Sequence, residues 1–278
     1  NMIKSPPNVM TFSATDPTGG AGLQADILTI SSLGCHPVSI STGFTIQDTI
    51  GVKKLIPIDS DLVNDQARLI LKDMEVEIFK LGLLGSKENI ATVAEIISDY
   101  PDIPLIIDPV LASGRGDEFV DIEARKMIME LLFPESLLIT PNSLEARQLV
   151  SNDEDGLDLP LETCVGRLKK MGCENILITG SHENTENVIN TLYGPSNQII
   201  PYHWDRLPGS YHGSGCTLTA AISAYYALGL SIGEAVEEAQ HFTWHALKNG
   251  FKPGMGQLIP NRLFRANDIE DDGKSTYH

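Results

Sequence analysis

Several features are scarce in this chain, and each scarcity excludes a class of protein. The four cysteines, Cys35, Cys164, Cys173 and Cys216, contain no C-x-x-C pair, and a chain of 278 residues does not need disulfides for stability. Basic residues are also few, with 20 Lys and Arg against 37 Asp and Glu. The resulting net charge of -17 argues against a nucleic-acid partner, because binding to a nucleic-acid backbone needs a basic surface.

Long apolar runs are missing as well. No segment approaches the roughly 18 apolar residues of a membrane span, and no charged segment leads into a signal-type apolar run. We therefore expect no membrane partner and a location in the reducing cytoplasm. No repeat or low-complexity linker divides the chain, so we predict one domain over residues 1–278, with flexible ends at 1–8 and about 267–278.

Two ligand-binding motifs are also absent. The glycine-rich segment 13–26 does not contain G-x-G-x-x-G, which makes a nicotinamide-dependent oxidoreductase a poor interpretation. His241 and His245 have the i, i+4 spacing of helical zinc ligands, but neither a third ligand nor an H-E-x-x-H context accompanies them. A zinc site is therefore not expected.

The chain does contain a regular alternation of short apolar runs and amphipathic segments. Continuous apolar runs such as 105–107 are typical of parallel strands buried on both faces. The alternation predicts an α/β fold with a mostly parallel central sheet between helices. The predicted strands are 9–13, 38–44, 78–81, 105–107, 137–139, 176–178, 188–193 and 198–202, and the predicted helices are 19–33, 62–74, 90–97, 123–132, 215–227 and 233–248.

Polar residues follow the ends of several predicted strands. They are Asp16, Gln47, Asp108, Asn142 and Ser181. Ligands of open parallel sheets bind at the carboxyl ends of the strands. We therefore expect a ligand site along this edge of the sheet.

The most informative segment is 212–221, in which Gly213, Ser214, Gly215 and Cys216 lead into a helix of small residues. Glycine allows close approach of a ligand, and the helix N-terminus attracts negative charge. A helix N-terminus also lowers the pKa of a thiol in its first turn. The segment therefore predicts an anion hole for phosphoryl transfer to a hydroxyl. The alternative is a glycine-started helix with a structural cysteine.

Two further polar residues have both a functional and a structural interpretation. Asp26 can point at a ligand amine, or it can be a first-turn acid favoured by the helix dipole. Gln47 can both donate and accept hydrogen bonds and so read the edge of a heterocycle, or it can belong to a polar turn.

The segment 140–145 begins a helix, with Asn142 as a candidate N-cap and Glu145 at the third position, as in a capping box. The same two side chains can also hold Mg²⁺ through water. The spacing alone favours the cap.

Taken together and in order, the segments 13–26, 42–49, 80–84, 108–110, 140–145 and 212–221 resemble the hydroxymethylpyrimidine/phosphomethylpyrimidine kinases of thiamine biosynthesis, within the ribokinase-like superfamily. The resemblance extends from about residue 9 to about residue 260. It implies a three-layer α/β/α fold, ATP and Mg²⁺ as cofactors, and a homodimer. It also implies phosphorylation of 4-amino-5-hydroxymethyl-2-methylpyrimidine and then of its monophosphate.

The resemblance assigns roles to residues on the substrate side. Asp26 and Gln47 would hydrogen-bond the aminopyrimidine, with Thr45 offering backbone contacts. Leu83 would pack on the ring, and Ala14 would border the pocket where the family often has glycine.

It also assigns roles on the phosphate side. Gly213, Ser214, Gly215 and Cys216 would form the anion hole, with Cys216 in the place of the catalytic aspartate of sugar kinases. Asn142 and Glu145 would support Mg²⁺ through water, and Asp108 would lie near the metal and the phosphates. Thr179 and Ser181 would contact the nucleotide.

Three lysines that many family members place near the phosphates are absent here. Their places fall in the loop 114–117, in the segment 179–182 and at Gln240. Arg115, in the first of these, is predicted to clamp the phosphates, the alternative being a solvated loop arginine. Two rival functions remain, namely a pyridoxal kinase-like vitamin B6 kinase and a non-catalytic pyrimidine-binding paralogue.

Overall fold

The computed structural model describes residues 4–112, 118–152, 155 and 158–268. Within these residues, nine strands form one sheet in the order β3-β2-β1-β4-β5-β6-β7-β8-β9. The strands are β1 Asn8–Thr15, β2 His36–Gln47, β3 Val52–Pro57, β4 Ile78–Leu81, β5 Leu105–Ile107, β6 Leu138–Ile139, β7 Asn175–Ile178, β8 Val188–Tyr193 and β9 Ile199–Trp204. The helices are α1 Gly22–Ser32, α2 Ser60–Asp73, α3 Lys87–Asp99, α4 Ile122–Met127, α5 Ser143–Val150, α6 Leu161–Lys170, α7 Ser214–Ala227, α8 Ile232–Lys248 and α9 Phe264–Asp268.

The six strands from β2 to β7 in this order run parallel, whereas β3, β8 and β9 pair antiparallel at the two sides. Phe12 of β1 lies between Ile40 of β2 and Leu81 of β4. Because parallel strands end at the same edge, the polar residues that follow them converge there.

The core lies on both faces of the sheet, because neighbouring residues of a strand point to opposite sides. Met10 and Phe79 belong to one buried cluster, which includes residues of α2, α3, α5 and α6. Val9 and Ile78 belong to a second cluster, with residues of α1, α7 and α8. The predicted three-layer α/β/α arrangement is therefore confirmed.

Four elements differ from the sequence-based expectation. The strand β3 has mostly exposed side chains and lacks the apolar pattern that predicts a strand. The helices α6 and α9 are not among the predicted elements. The predicted helix 123–132 is shorter than expected, since α4 ends at Met127 and a wider π-type turn, Ile128–Leu132, leads into a short turn containing Pro134. Proline in that place prevents a regular α-helix from continuing.

None of the helices in the described part of the chain combines the length and the apolar character that crossing a bilayer requires.

Candidate active site

Two glycine-containing loops meet at the carboxyl edge of the sheet, the one after β1 and the one before α7. A Cβ atom on Gly213 would lie 1.8 Å from the carbonyl oxygen of Gly20, and a Cβ atom on Gly20 would lie 2.5 Å from Cδ2 of His212. Gly213 also has a left-handed φ of +87°. These contacts require glycine, because any side chain would push the loops apart.

Asp16 ties the same two loops together through hydrogen bonds. Its Oδ2 accepts from the backbone N–H of Ala21 at 2.8 Å and lies 2.7 Å from Nε2 of His212, while its Oδ1 accepts from the backbone N–H of Thr18 at 2.9 Å. Burial opposes ionisation of this carboxyl, but the hydrogen bonds of His212 and Thr18 outweigh it and lower the pKa of Asp16. Asp16 is therefore a charged anchor of the loop.

The predicted anion hole lies at the start of α7. Gly213 is the N-cap residue, and no side chain caps the first turn, so the first N–H groups of the helix remain available to a ligand. A Cβ atom on Gly215 would lie 3.8 Å from Oδ2 of Asp108. The helix N-terminus and the carboxylate that follows β5 therefore face each other across the site.

A buried ion pair underlies this site. Nζ of Lys80 lies 2.8 Å and 3.1 Å from the two carboxylate oxygens of Asp26, and Thr11 Oγ1 donates to Asp26 as well. Asp26 and Lys80 are both fully buried. Burial alone would lower the pKa of Lys80, but the charge of Asp26 raises it above its ordinary value, with smaller contributions from Cys216 and Asp108.

This arrangement revises the interpretation of Asp26. Because α1 begins at Gly22, Asp26 lies beyond the first turn, and its interpretation as a first-turn acid is wrong. Both oxygens are held by protein donors, so direct contact with a ligand stays a prediction. The sequence analysis assigns no role to Lys80, although a lysine inside the apolar strand 78–81 indicates a buried partner.

The thiol of Cys216 differs from the sequence-based expectation. Burial raises its pKa to about 11, and the charges of Asp108 and Asp26 add to this, while Lys80 opposes it. The prediction of a lowered thiol pKa is therefore wrong, because removal from water outweighs the positive groups nearby. Cys216 is a protonated thiol at neutral pH. Its catalytic role stays a prediction.

The carboxyl groups of Asp108 and Glu145 form the acidic part of the site. Glu145 accepts hydrogen bonds from the backbone N–H of Asn142 at 3.0 Å, and Asn142 Oδ1 accepts from that of Glu145 at 2.7 Å. The capping box is thus confirmed. Burial raises the pKa of both carboxyls, and the charge of Asp108 raises that of Glu145 further.

These two carboxyls fit a divalent cation. Each resists ionisation in the absence of a counter-charge, and a hard cation relieves that cost. Among the described residues no group of three or more His, Cys, Asp or Glu side chains that could hold a metal ion occurs, and Mg²⁺ stays a prediction. A direct role for Asn142 stays a prediction, because its amide oxygen already caps α5.

The end of β2 presents a short chain of hydrogen bonds. Thr45 Oγ1 donates to the carbonyl oxygen of Thr15 at 2.8 Å, and Gln47 Nε2 donates to Thr45 Oγ1 at 2.6 Å. Gln47 Oε1 is buried and has no hydrogen-bond partner among the described residues. Gln47 ends a strand, so its interpretation as part of a polar turn is wrong.

The other predicted substrate residues are buried nearby. Ala14 and Leu83 belong to the core, and Ala14 presents its carbonyl oxygen to Gly22. Leu83 and Asp108 line a cavity of about 230 Å³, and Gln47 lines another of about 440 Å³ beside Met255. Their contacts with a ligand stay predictions.

The two predicted nucleotide contacts after β7, Thr179 and Ser181, are neutral. Thr179 bridges to Asn142, and Ser181 is exposed. Gln240 is buried, and its Oε1 accepts from Asn190 Nδ2 at 3.1 Å and from Trp204 Nε1 at 2.9 Å. Nucleotide contacts of Thr179 and Ser181 stay predictions, and Arg115 lies outside the described residues.

A helix N-terminus that faces buried carboxylates on a parallel α/β sheet is the arrangement of a small-molecule kinase. The family described as phosphomethylpyrimidine kinase matches this chain over residues 16–261. A hydroxymethylpyrimidine/phosphomethylpyrimidine kinase of Mycobacterium bovis is 34% identical, over 94% of this chain and 95% of its own length. The thiamine biosynthesis bifunctional protein ThiED of Geobacter sulfurreducens is 30% identical over 95% of this chain, which spans about half, 54%, of that longer protein.

Solved structures agree with this assignment. An ADP complex of Bacillus subtilis pyridoxal kinase superposes with a TM-score of 0.84 and 26% identity, over 95% of this chain and 100% of that chain. A phosphomethylpyrimidine kinase of Clostridium difficile 630 superposes with a TM-score of 0.74 and 28% identity, over 87% of this chain and 99% of that chain. The chain belongs to the phosphomethylpyrimidine kinase family. The predictions of this family, of a ribokinase-like fold and of a phosphotransferase are confirmed.

Proposed function

We propose that the protein uses ATP to phosphorylate 4-amino-5-hydroxymethyl-2-methylpyrimidine and then its monophosphate, as a step in thiamine diphosphate biosynthesis. The rival substrate is pyridoxal, since the fold is equally that of pyridoxal kinases. The observation that favours the pyrimidine is the free acceptor at Gln47.

The orientation of the Gln47 amide follows from its neighbours. The hydroxyl proton of Thr45 is engaged by the carbonyl oxygen of Thr15, so Thr45 Oγ1 can only accept from Gln47. The amide nitrogen must therefore face Thr45, and Oε1 faces away from it as an acceptor. An exocyclic amino group suits this acceptor, and pyridoxal has none.

The chemistry follows from the site. The oxygen of the hydroxymethyl group attacks the γ-phosphorus of ATP, the bond between this phosphorus and the β,γ-bridging oxygen breaks, and the hydroxyl proton leaves. The N–H groups at Gly213, Ser214, Gly215 and Cys216 stabilise the charge on the transferred group. Because Cys216 is protonated at neutral pH, we assign it the orientation of the hydroxyl through a hydrogen bond. The hydroxyl proton passes late in the transfer to an oxygen of the transferred phosphoryl group.

Mg²⁺ would be held by Asp108 and Glu145, directly or through water, and would neutralise charge on the ATP phosphates. Lys80 lies 2.8 Å from Asp26, so its charge is balanced within the protein. The segment with Arg115 is proposed as the remaining positive group near the phosphates.

We also propose a homodimer in the cytoplasm. Phe44 and Ile46 of β2 lie on one exposed face with Ile56 of β3, which pairs with Phe44. An apolar surface on an otherwise strongly acidic chain favours self-association.

A coupled assay for ADP release tests the proposed function. The acceptors are hydroxymethylpyrimidine, its monophosphate, pyridoxal and none. We expect the two pyrimidines to stimulate ADP release and pyridoxal to do so with a far lower kcat/KM. A higher kcat/KM for pyridoxal would make the protein a vitamin B6 kinase, and ADP release that no acceptor stimulates would favour the non-catalytic pyrimidine-binding paralogue.

A further inference from the structure

Arg262 is a buried cation that the proposed chemistry does not use. The residue is 3% exposed, and none of the carboxylates in the described part of the chain forms an ion pair with it. Burial lowers the pKa of this guanidinium to about 10, so the group is charged at neutral pH. A buried charge without a carboxylate partner is costly and needs several hydrogen bonds.

Its hydrogen bonds all go to the two glycine loops and to the first turns of α7. Nη1 donates to the carbonyl oxygen of Gly19 at 3.0 Å, and Nη2 donates to that of Gly20 and, at 3.4 Å, to that of Gly213. Nε donates to Thr217 Oγ1 at 3.0 Å. The planar guanidinium therefore connects the loop of Gly20 with the loop of Gly213, which lie more than 190 residues apart in sequence.

The contact with Gly213 bears on the anion hole. The carbonyl oxygen of Gly213 accepts from Thr217 Oγ1 at 2.7 Å and from the backbone N–H of Thr217 at 3.0 Å, in addition to Arg262. Because a trans peptide is planar, the N–H of Ser214 points opposite to this carbonyl. Holding the Gly213 carbonyl inward thus aims the Ser214 N–H outward, toward the site of the anion.

We propose that Arg262 is a positioning residue for phosphoryl transfer, whose guanidinium binds the carbonyl oxygens of Gly19, Gly20 and Gly213, orients the anion hole and places a positive charge beneath it. The inference rests on the proposed kinase reaction. Arg262 gives the site a permanent positive charge, whereas the lysines that the resemblance implies at position 240 and in the segment 179–182 are absent. Lysine cannot replace it fully, since one ammonium cannot reach three carbonyls with fork geometry.

The test compares Arg262→Met and Arg262→Lys with wild type, by steady-state kinetics and by calorimetric titration with ADP. We expect Arg262→Met to lower kcat by about 10²-fold, the scale of a lost anion-hole donor, and to weaken ADP binding. The KM for the pyrimidine should stay within about twofold, because ring recognition does not use this group. Arg262→Lys should be intermediate in both measurements.

Arg265→Met is the matched control. Arg265 lies three residues further on, is exposed, and contacts Tyr225 and the rings of Phe242 and Phe264 instead of the loops. Its replacement should leave kcat and ADP binding unchanged. Arg262→Ala should regain kcat with millimolar guanidinium and not with urea, which a general loss of packing would not show.

The possible results separate the two hypotheses. A wild-type protein that phosphorylates neither pyrimidine nor pyridoxal overturns the proposed function, and ADP titration of the variants then still tests Arg262. Wild-type kcat and ADP affinity in Arg262→Met overturn the positioning role. A thermal melt shows whether Arg262→Met folds. If it does not, Arg262→Lys is the test, because a wild-type kcat in that variant would also overturn the positioning role of Arg262.

Discussion

The two ends of the catalytic edge handle charge in different ways. The proposed substrate end, formed by the ends of β1, β2 and β4, contains buried carboxylates that are paired inside the protein, Asp26 with Lys80 and Asp16 with His212. The proposed nucleotide end, formed by the ends of β6 and β7 with β8 and β9, holds a buried neutral network around Gln240, while its ion pair Arg147–Glu183 lies nearer the surface. The first end thus contains buried paired charge, whereas at the second end the proposed binding of the phosphates would depend on backbone N–H groups, Mg²⁺ and a few cations.

The largest effect is expected from breaking the buried pair at the substrate end. Lys80→Met leaves Asp26 without its cation in a fully buried position, which should reduce the free energy of unfolding by about 3–5 kcal/mol. Urea unfolding measures this. The double variant Lys80→Met with Asp26→Leu should regain part of the loss, whereas Lys87→Met, at an exposed ion pair with Glu123, should change nothing. If the single and the double variant lose the same free energy of unfolding, the unpaired charge of Asp26 is not the cause of the loss.

The second prediction concerns Cys216, at the boundary between the two ends. Burial raises the pKa of this thiol from 9.0 to about 11, so its thiolate fraction at pH 7.5 should be about a hundredfold below that of an unperturbed cysteine. Alkylation by iodoacetamide, followed by peptide mass spectrometry, should be slower than for free cysteine and should rise with pH beyond 9. If Cys216 is alkylated faster than free cysteine at neutral pH, the prediction of a lowered thiol pKa would be supported instead.

The third prediction adds a charge to the neutral network. Gln240→Lys restores the residue that relatives often have, but the ammonium would face the donors Asn190 Nδ2 and Trp204 Nε1. We expect a loss of about 1–3 kcal/mol in the free energy of unfolding, the cost of leaving buried donors unsatisfied. Thermal melts measure the change, with Gln240→Glu as the control that keeps an acceptor. A stabilised lysine variant would show that the site accepts charge.

A smaller effect is expected from the hydroxyl that orients Gln47. Thr45→Val keeps the shape and removes the partner of the amide, so binding of the pyrimidine should weaken by about 1 kcal/mol. The same change in a Gln47→Ala background should have no effect on KM, because no amide remains to orient. Ser41→Ala, which removes a hydroxyl that donates to Gly43 on the same strand, is the control. Equal effects of Thr45→Val in both backgrounds would mean that Thr45 does not act through Gln47.

The smallest effect is expected at Ser181, which is exposed at the nucleotide end. Ser181→Lys adds a positive charge two residues after Thr179, the position at which the resemblance implies a lysine, and its effect on stability should stay within about 0.5 kcal/mol. The KM for ATP should fall at low ionic strength, and the gain should vanish with added salt, since exposed charges are screened. An unchanged KM for ATP at low salt would place the phosphates away from this loop.

Much of the fold follows from local patterns. The strands 78–81, 105–107 and 188–193 were predicted with the bounds that the structure has, because apolar runs of that length mark strands buried in a sheet. The capping box of Asn142 and Glu145 follows from a spacing of three residues. By contrast, β3 could not be predicted, since its residues are mostly exposed and its pairing with β2 alone makes it a strand.

The sequence by itself therefore determined most of the order of elements, the glycine loops, the helix that follows Gly213 and the family. Only the tertiary structure decided the pairing of Lys80 with Asp26, of His212 with Asp16 and of Arg262 with the glycine loops, and with it the raised pKa of Cys216. The physical reason is range. Patterns along a chain report contacts within a few residues, whereas these partners lie 54, 196 and 242 residues apart and meet only because the strand order brings them to one edge and removes water from between them.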